Sequence, residues 1–279
     1  MADAHRILPE FVETSGGCLF VIRHEPAKTD TLGHAIVFVP PFAEEMNRCR
    51  RMVALQARSL ADRGFSAVIF DLFGTGDSEG DFADATWDQW KENLRIIVQR
   101  CRDRGSDQIS FVAIRTGALL LSDSDPSVVD IASRIVLWQP CLSGRQYLRQ
   151  FLRLKLVAGI GNEPLGGGSI DQLVEKLRSG QSLEIAGYEL ARDLAIPMEK
   201  SSMRLPAGHS STKVDWFELA PNEQVGLTPT SRKFLESANG KGTLVNTHVL
   251  SGPRFWDTVE AVVLPELTEL TMHQFLEPV

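Results

Sequence analysis

The chain lacks a surplus of basic residues and any long apolar run. Its 279 residues carry 29 Lys and Arg against 36 Asp and Glu, a formal net charge of −7. Nucleic acids and anionic membrane surfaces attract basic proteins, so this charge argues against both as the main partner. No apolar run approaches the roughly 18–20 residues that span a bilayer, and residues 1–20 hold no leader-like apolar stretch. The sequence therefore predicts a cytoplasmic protein with no transmembrane segment and no nucleic-acid partner.

Spacings typical of metal and cofactor sites are also missing. The four cysteines (Cys18, Cys49, Cys101 and Cys141) form no CxxC or Cys/His pattern, so we expect reduced, partly buried thiols. Residues 74–80 contain three glycines without the GxGxxG spacing of a dinucleotide-binding turn. We therefore predict neither a metal ion nor a cofactor.

Strand-like and helix-like segments alternate along most of the chain. The predicted strands are residues 18–24, 35–39, 66–71, 108–114, 134–138, 213–219 and 243–250. The predicted helices are residues 47–63 and 86–104, a helix start at 116–121, and a closing helix at 258–272. This alternation predicts an α/β fold with a mostly parallel sheet of about eight strands and helices on both faces.

Residues 145–210 interrupt the alternation. They hold two helix-like pieces, near residues 169–179 and 188–198, and only one short strand-like piece, at 182–185. We expect a helical cap inserted at 145–210, with the core formed by residues 1–144 and 211–279.

Two loops that follow predicted strands resemble a known superfamily. Residues 40–48 read Pro-Pro-Phe-Ala-Glu-Glu-Met-Asn-Arg, and residues 71–80 read Asp-Leu-Phe-Gly-Thr-Gly-Asp-Ser-Glu-Gly. Both resemble loops of the α/β-hydrolase superfamily. Together with residues 137–140 and 186–190, they more narrowly resemble the second of two hydrolase-like proteins associated with the exosortase A system. Those proteins are encoded beside bacterial exopolysaccharide genes and the exosortase sorting machinery. The resemblance spans roughly residues 15–260, and the narrower group supplies no biochemical activity.

The position where this fold carries its nucleophile holds an arginine. The segment reads Ala113-Ile114-Arg115-Thr116-Gly117, and a serine is expected in the middle of such a strand-to-helix elbow. Ala113 and Gly117 keep the small side chains that a tight elbow needs. Arginine stays protonated and offers no attacking atom, so the turn can persist while the nucleophile is lost.

The base is also missing from its usual place. A histidine is expected in the loop after the last strand, where residues 251–256 instead place Arg254. His248 lies inside the strand pattern and is more simply a half-buried strand residue. The acid loop at 220–224 offers Glu223. Losing the nucleophile or the base of a triad typically lowers turnover on the order of 10⁶-fold, so Ser-His-Asp hydrolysis is not expected.

The same end of the sheet should collect several carboxylates. We expect Glu44, Glu45, Asp71 and Asp77 near Arg115 and Arg254, because all follow strand ends. Buried charges need partners, so Arg115 could pair with Glu44 or Glu45. Alternatively, Arg115 at a helix N-terminus could hold a carboxylate or phosphate.

Three functions therefore remain open from the sequence. The first is a hydrolase-like protein that binds an anionic ligand (a sugar acid, an acyl group or a phosphate) or a protein partner. The second is a hydrolase or acyl transferase that uses Glu44 or Glu45 as its acid or base. The third is a purely structural interaction module. Arg145, Arg149 and Arg153 recur at helical spacing and could form a basic stripe for a partner.

Overall fold

The computed structural model describes residues 5–27, 32–159, 169–206, 212–221, 226–239 and 245–277. Its strands are β1 (His5–Thr14), β2 (Gly17–Pro26), β3 (His34–Val39), β4 (Ser66–Phe70), β5 (Gln108–Ile114), β6 (Ala132–Trp138), β7 (Leu183–Ile185), β8 (Tyr188–Leu190), β9 (Lys213–Ala220) and β10 (Val245–Ser251). Its helices are α1 (Glu44–Ala61), α2 (Trp87–Asp103), α3 (Gly117–Asp123), α4 (Pro126–Val129), α5 (Gly144–Gly159), α6 (Ile170–Arg178), α7 (Arg192–Lys200), α8 (Pro229–Asn239) and α9 (Pro265–Leu276). A 3₁₀ turn lies at Phe82–Asp84.

Eight strands form one sheet in the order β1-β2-β4-β3-β5-β6-β9-β10. Strand β2 runs antiparallel to both β1 and β4, and every other neighbouring pair is parallel. Strands β7 and β8 form a separate antiparallel hairpin. The predicted mostly parallel, eight-stranded α/β fold is confirmed. No helix within the described ranges is long and apolar enough to cross a bilayer.

The central strands are apolar on both faces because helices cover both. All six residues of β3 are buried, as expected for a continuous apolar run in a parallel sheet. Ile36 and Phe38 point to a core shared with α1 and α9. Val37 and Val39 point to a second core, shared with α2, α3 and α5. The period of two along the strand thus divides the interior into two layers.

The ends of two helices show how far local sequence signals hold. Helix α2 begins where the sequence predicts, because the Thr86 hydroxyl accepts a hydrogen bond from the Gln89 amide at 3.1 Å. The closing helix was predicted to begin at residue 258, which is wrong. It begins at Pro265, since proline is favoured in the first turn of a helix and disfavoured inside one.

The segment between β6 and β9 holds α5, α6, the β7–β8 hairpin and α7. We call it the β6–β9 insertion. Its helix α5 packs against the main body through aromatic rings: Phe42, just after β3, contacts Tyr147 at 5.8 Å and Phe151 at 5.2 Å between ring centroids. The insertion therefore shares an apolar core with the sheet, and its role as a separate cap remains a prediction.

Candidate functional site

A sharp turn joins β5 to α3 and positions Arg115. Arg115 has a φ of 52°, in the left-handed region that a residue with a side chain adopts only at a cost on the order of 1 kcal/mol. A Cβ atom at Gly117 would collide with the carbonyl oxygens of Val39 and Pro40. The turn therefore needs a residue without a side chain at 117 and holds residue 115 at the carboxyl end of the sheet.

The Arg115 side chain is held by Glu45 in the first turn of α1. Its Nε donates to one Glu45 carboxylate oxygen at 3.2 Å, and its Nη2 donates to the other at 3.1 Å. Only 15% of the Arg115 side chain and 19% of the Glu45 side chain are exposed. This is a two-point, charge-assisted pair of the kind that fixes both groups in place.

Two further groups contact the guanidinium of Arg115. Arg115 Nη1 donates to the backbone oxygen of Gln139 at 3.4 Å, and Cζ of Arg115 lies 4.9 Å from the ring centroid of Trp256. Gln139, at the end of the neighbouring strand β6, also has a left-handed φ of 46°. Two adjacent strands thus end in strained residues around one buried charge, which favours a functional or a strongly structural role for the charge.

The groups nearest the pair stay neutral. Burial raises the pKa of the Cys141 thiol to about 12, and burial also raises the pKa of the Tyr147 phenol well above its usual range. Burial alone would lower the pKa of Arg115, but Cys141 and Glu45 outweigh it and the net shift is upward. The Cys141 thiol is therefore a poor nucleophile, because it is not ionised.

A small cavity of about 160 Å³ opens beside Arg115. Its other polar lining includes Gln139, Ser143, Gln146, Gln150, Thr230 and Ser231. An arginine side chain has five N–H donors. Three are engaged, two by Glu45 and one by Gln139. Two donors of Arg115 are therefore left for a group that enters the cavity.

Glu44 does not join the Arg115 pair. Its side chain is 44% exposed. One carboxylate oxygen accepts hydrogen bonds from Asn47 at 3.1 Å and from the hydroxyl of Tyr188 in β8 at 3.2 Å. The other oxygen lies 3.6 Å from Nε of Arg48. Glu44 therefore fastens the β7–β8 hairpin to the start of α1.

The two aspartates of the next loop form a separate structure. Asp71 is 2% exposed, and both of its oxygens accept hydrogen bonds from Nη2 of Arg50, at 3.0 and 3.1 Å. Asp71 also accepts from the backbone amide of Asp77 at 3.0 Å, while the Asp77 side chain is exposed. Ser78 donates to the backbone oxygen of Asp71 at 2.6 Å. This cluster shapes the loop and does not contact Arg115.

The expected second arginine lies elsewhere. Arg254 was predicted to face the same pocket as Arg115, but its side chain is exposed and does not line the cavity at Arg115. The two residues that follow it, Phe255 and Trp256, are buried instead, because burial of the aromatic rings is favoured while the charged Arg254 stays in solvent. Trp256 is thus the residue that this loop brings to Arg115.

The other predicted positions are placed as follows. His248 in β10 stacks on Phe217 at 4.4 Å between ring centroids, and its Nε2 lies 4.0 Å from Asp215, as expected for a half-buried strand residue. Glu223 lies outside the described residues. No group of three or more His, Cys, Asp or Glu within the described ranges is placed to hold a metal ion.

Sequence reasoning missed Trp256, Gln139, Cys141 and Tyr147 as site residues. Each is apolar or uncharged, so nothing in its type signals chemistry. A signal was available for two of them, because Gln139 and Cys141 follow strand β6 directly and the carboxyl ends of parallel strands meet at one edge.

No protein-family model matches the chain, and no curated protein matches it in sequence. Solved structures do match across nearly the whole length. Est1E from Butyrivibrio proteoclasticus, solved with bound ferulic acid, has a TM-score of 0.67 at 15% identity, over 96% of this chain and 98% of that one.

Two further structures give the same result. A serine hydrolase without a lid from Xanthomonas campestris has a TM-score of 0.58 at 12% identity, over 98% of this chain and 97% of that one. The mouse alpha/beta hydrolase domain-containing protein 10 has a TM-score of 0.56 at 12% identity, over 96% of each chain. The chain therefore has the α/β-hydrolase fold, and at these identities the likeness shows the fold alone.

Proposed function

We propose that this protein binds a small ligand through an acceptor oxygen, such as a carboxylate, in the cavity beside Arg115, and that it does not hydrolyse esters by a Ser-His-Asp triad. The observation that carries the proposal is the bonding of Arg115. Glu45 fixes its position and Gln139 takes a third donor, while two donors remain in a side chain that lines the cavity.

The size and lining of the cavity limit the ligand. A volume of about 160 Å³ is close to that of an engineered cavity of about 150 Å³ that binds benzene, so the cavity takes the carboxylate end of a ligand and the rest of a monosaccharide lies at its mouth. The lining of hydroxyl and amide side chains suits a polyol. Because Glu45 already pairs with the positive charge of Arg115, a carboxylate of the ligand is bound through directed hydrogen bonds more than through net charge. A sugar acid meets these conditions.

Binding of glucuronate, with glucose as its uncharged analogue, tests this proposal by calorimetry. We expect glucuronate to bind more tightly than glucose, and Arg115→Lys to weaken glucuronate about tenfold. Lysine can keep the charge opposite Glu45 but loses the planar fork of donors. Arg95→Lys, at an exposed pair with Glu92, is the matched control and leaves binding unchanged. Absence of binding at millimolar glucuronate, or an equal effect of both variants, contradicts the proposal.

A second candidate is an enzyme that uses Glu45 as its acid or base. It is favoured by one observation: burial raises the pKa of Glu45, although Arg115 opposes the shift. A raised carboxyl pKa is what a general acid needs. Turnover of p-nitrophenyl acetate that is present in the wild type and absent in Glu45→Gln would establish this function. We expect no turnover above background in either protein.

The biological setting rests on the sequence resemblance. Because the loops at 40–48 and 71–80 resemble those of the exosortase A-associated group, we propose that the protein serves exopolysaccharide or protein-sorting machinery from the cytoplasm. A sugar acid is consistent with that setting. We also propose that the β6–β9 insertion acts as the cap, since its helix α5 contributes Gln146, Tyr147 and Gln150 to the cavity wall.

A further inference from the structure

A second cavity lies on the opposite side of the sheet from α2 and α3. Its volume is about 240 Å³, and it opens between α1 and strands β2, β3 and β4. The buried side chains of Phe38, Cys49, Phe70 and Ile114 belong to its wall. It shares no lining residue with the cavity at Arg115. We call it the α1 cavity. Ligand pockets are typically clefts lined mainly by apolar side chains with a few polar groups, and this cavity has such a lining.

One buried polar atom in the wall has no partner. His24 is 3% exposed, lines the α1 cavity, and has no hydrogen-bond partner for Nδ1 within the described part of the chain. Nearly all buried polar atoms in folded proteins are hydrogen-bonded. Burial, with smaller effects of His5 and Arg58, lowers the pKa of His24 to about 4. At neutral pH the ring is therefore uncharged, and a tautomer with the proton on Nδ1 can donate one hydrogen bond.

A free cation lies close to His24. Arg58 of α1 lines the same cavity and is near enough to His24 to shift its pKa. Its side chain is exposed and, among the described residues, has no carboxylate partner and makes no hydrogen bond. Arg50, the other arginine of the wall, is already bound to Asp71. The α1 cavity thus combines an apolar interior with two unused donors, from His24 and Arg58.

We propose that the α1 cavity binds an amphipathic carboxylate of about eight carbons. The carboxylate is held by Arg58 and His24 Nδ1, and the aliphatic tail lies against Phe38, Val53 and Ile114. At roughly 30 Å³ per water-sized group in a liquid, a cavity of about 240 Å³ takes about eight carbons, and the two carboxylate oxygens lie at its mouth beside the exposed Arg58. This site is independent of the proposed function at Arg115.

Octanoate is the probe, and 1-octanol is its uncharged analogue. Calorimetric titration of the full chain is expected to show saturable octanoate binding. Ala54→Phe should abolish it, because Ala54 lines the cavity and the added ring occupies that volume. Leu55→Phe, one position along the same helix and outside the cavity lining, is the matched control and should bind as the wild type does. Circular dichroism checks that both variants remain folded.

The head group is tested separately. Arg58→Gln should weaken octanoate about threefold to fivefold, as expected for an exposed ion pair, and leave octanol unchanged. The difference should shrink at 1 M salt, where exposed charges are screened. In ¹⁵N-histidine NMR, octanoate should shift the Nδ1 resonance of His24. Arg115→Lys should leave octanoate binding unchanged, because Arg115 does not line the α1 cavity. The proposal is overturned by no saturable binding at millimolar octanoate, by equal octanoate binding to the Ala54→Phe and Leu55→Phe variants, or by no preference for octanoate over octanol.

Discussion

Arg115 and Glu45 are each less than a fifth exposed and satisfy each other through two hydrogen bonds. Removing one member of a buried pair leaves the other charge without a partner, which destabilises a protein on the order of 3 kcal/mol. We therefore expect Arg115→Met to lower the free energy of unfolding by about this amount. The double variant Arg115→Met with Glu45→Met should lose less than Arg115→Met alone, because no unpaired charge remains. Urea denaturation at pH 7 measures both.

An exposed ion pair on the protein surface is the reference for the stability loss expected of Arg115→Met. Arg95 and Glu92 form a close pair on α2 with 49% and 43% of their side chains exposed. Since exposed ion pairs contribute at most about 1 kcal/mol, Arg95→Met should change stability much less than Arg115→Met. If Arg115→Met and Arg95→Met lose the same stability, or if the double variant at the elbow is the least stable of all, the Arg115–Glu45 pair does not behave as a buried ion pair.

At the scale of elements, the β5–α3 turn depends on Gly117. A side chain there would collide with the carbonyl oxygens of Val39 and Pro40, and these belong to the end of β3 and its loop. Overpacking against backbone destabilises by about 1–3 kcal/mol. We expect Gly117→Ala to fall at the upper end of that range in a urea denaturation experiment.

Gly180→Ala is the control that distinguishes a steric collision from backbone strain. It has a φ of +91°, but a Cβ atom there would meet nothing within 4 Å. Gly180→Ala therefore carries only the backbone penalty, on the order of 1 kcal/mol. A loss at Gly117→Ala no larger than that at Gly180→Ala would show that β3 can move away from the turn, and that the turn is not fixed by this contact.

The elements that the sequence predicts well are those with a strong local pattern. The apolar run of β3 and the Thr86 cap of α2 are both present. Strand β1 escaped prediction because it is an edge strand whose residues are mostly exposed or half-buried, so it lacks an apolar face. At the site, the small residues around Arg115 were enough to predict the elbow. The sequence did not predict which side chains of the loop at residues 251–256 face Arg115, because the direction of a loop side chain depends on tertiary packing.

At the scale of the molecule, the position of Phe42 indicates whether the β6–β9 insertion and the main body unfold as one cooperative unit or as two. Its ring lies 5.6 Å from Trp90 of α2 and 5.2 Å from Phe151 of α5, measured between centroids. It thus joins the β6–β9 insertion to the main body inside one continuous apolar cluster. Because the insertion buries its apolar face against the sheet side of that cluster, it should not fold or unfold alone.

Hydrogen exchange measured by mass spectrometry tests this cooperativity. Phe42→Ala should destabilise by about 3–5 kcal/mol, and protection should fall equally in peptides from α6–α7 and from β5. Phe275→Ala, in the core on the other face of the sheet, is the comparison. If the molecule is one cooperative unit, this distant change should also lower protection in α6–α7, although α9 is outside the insertion. If the insertion is an independent cap, Phe275→Ala leaves α6–α7 unchanged while Phe42→Ala exposes α6–α7 before β5.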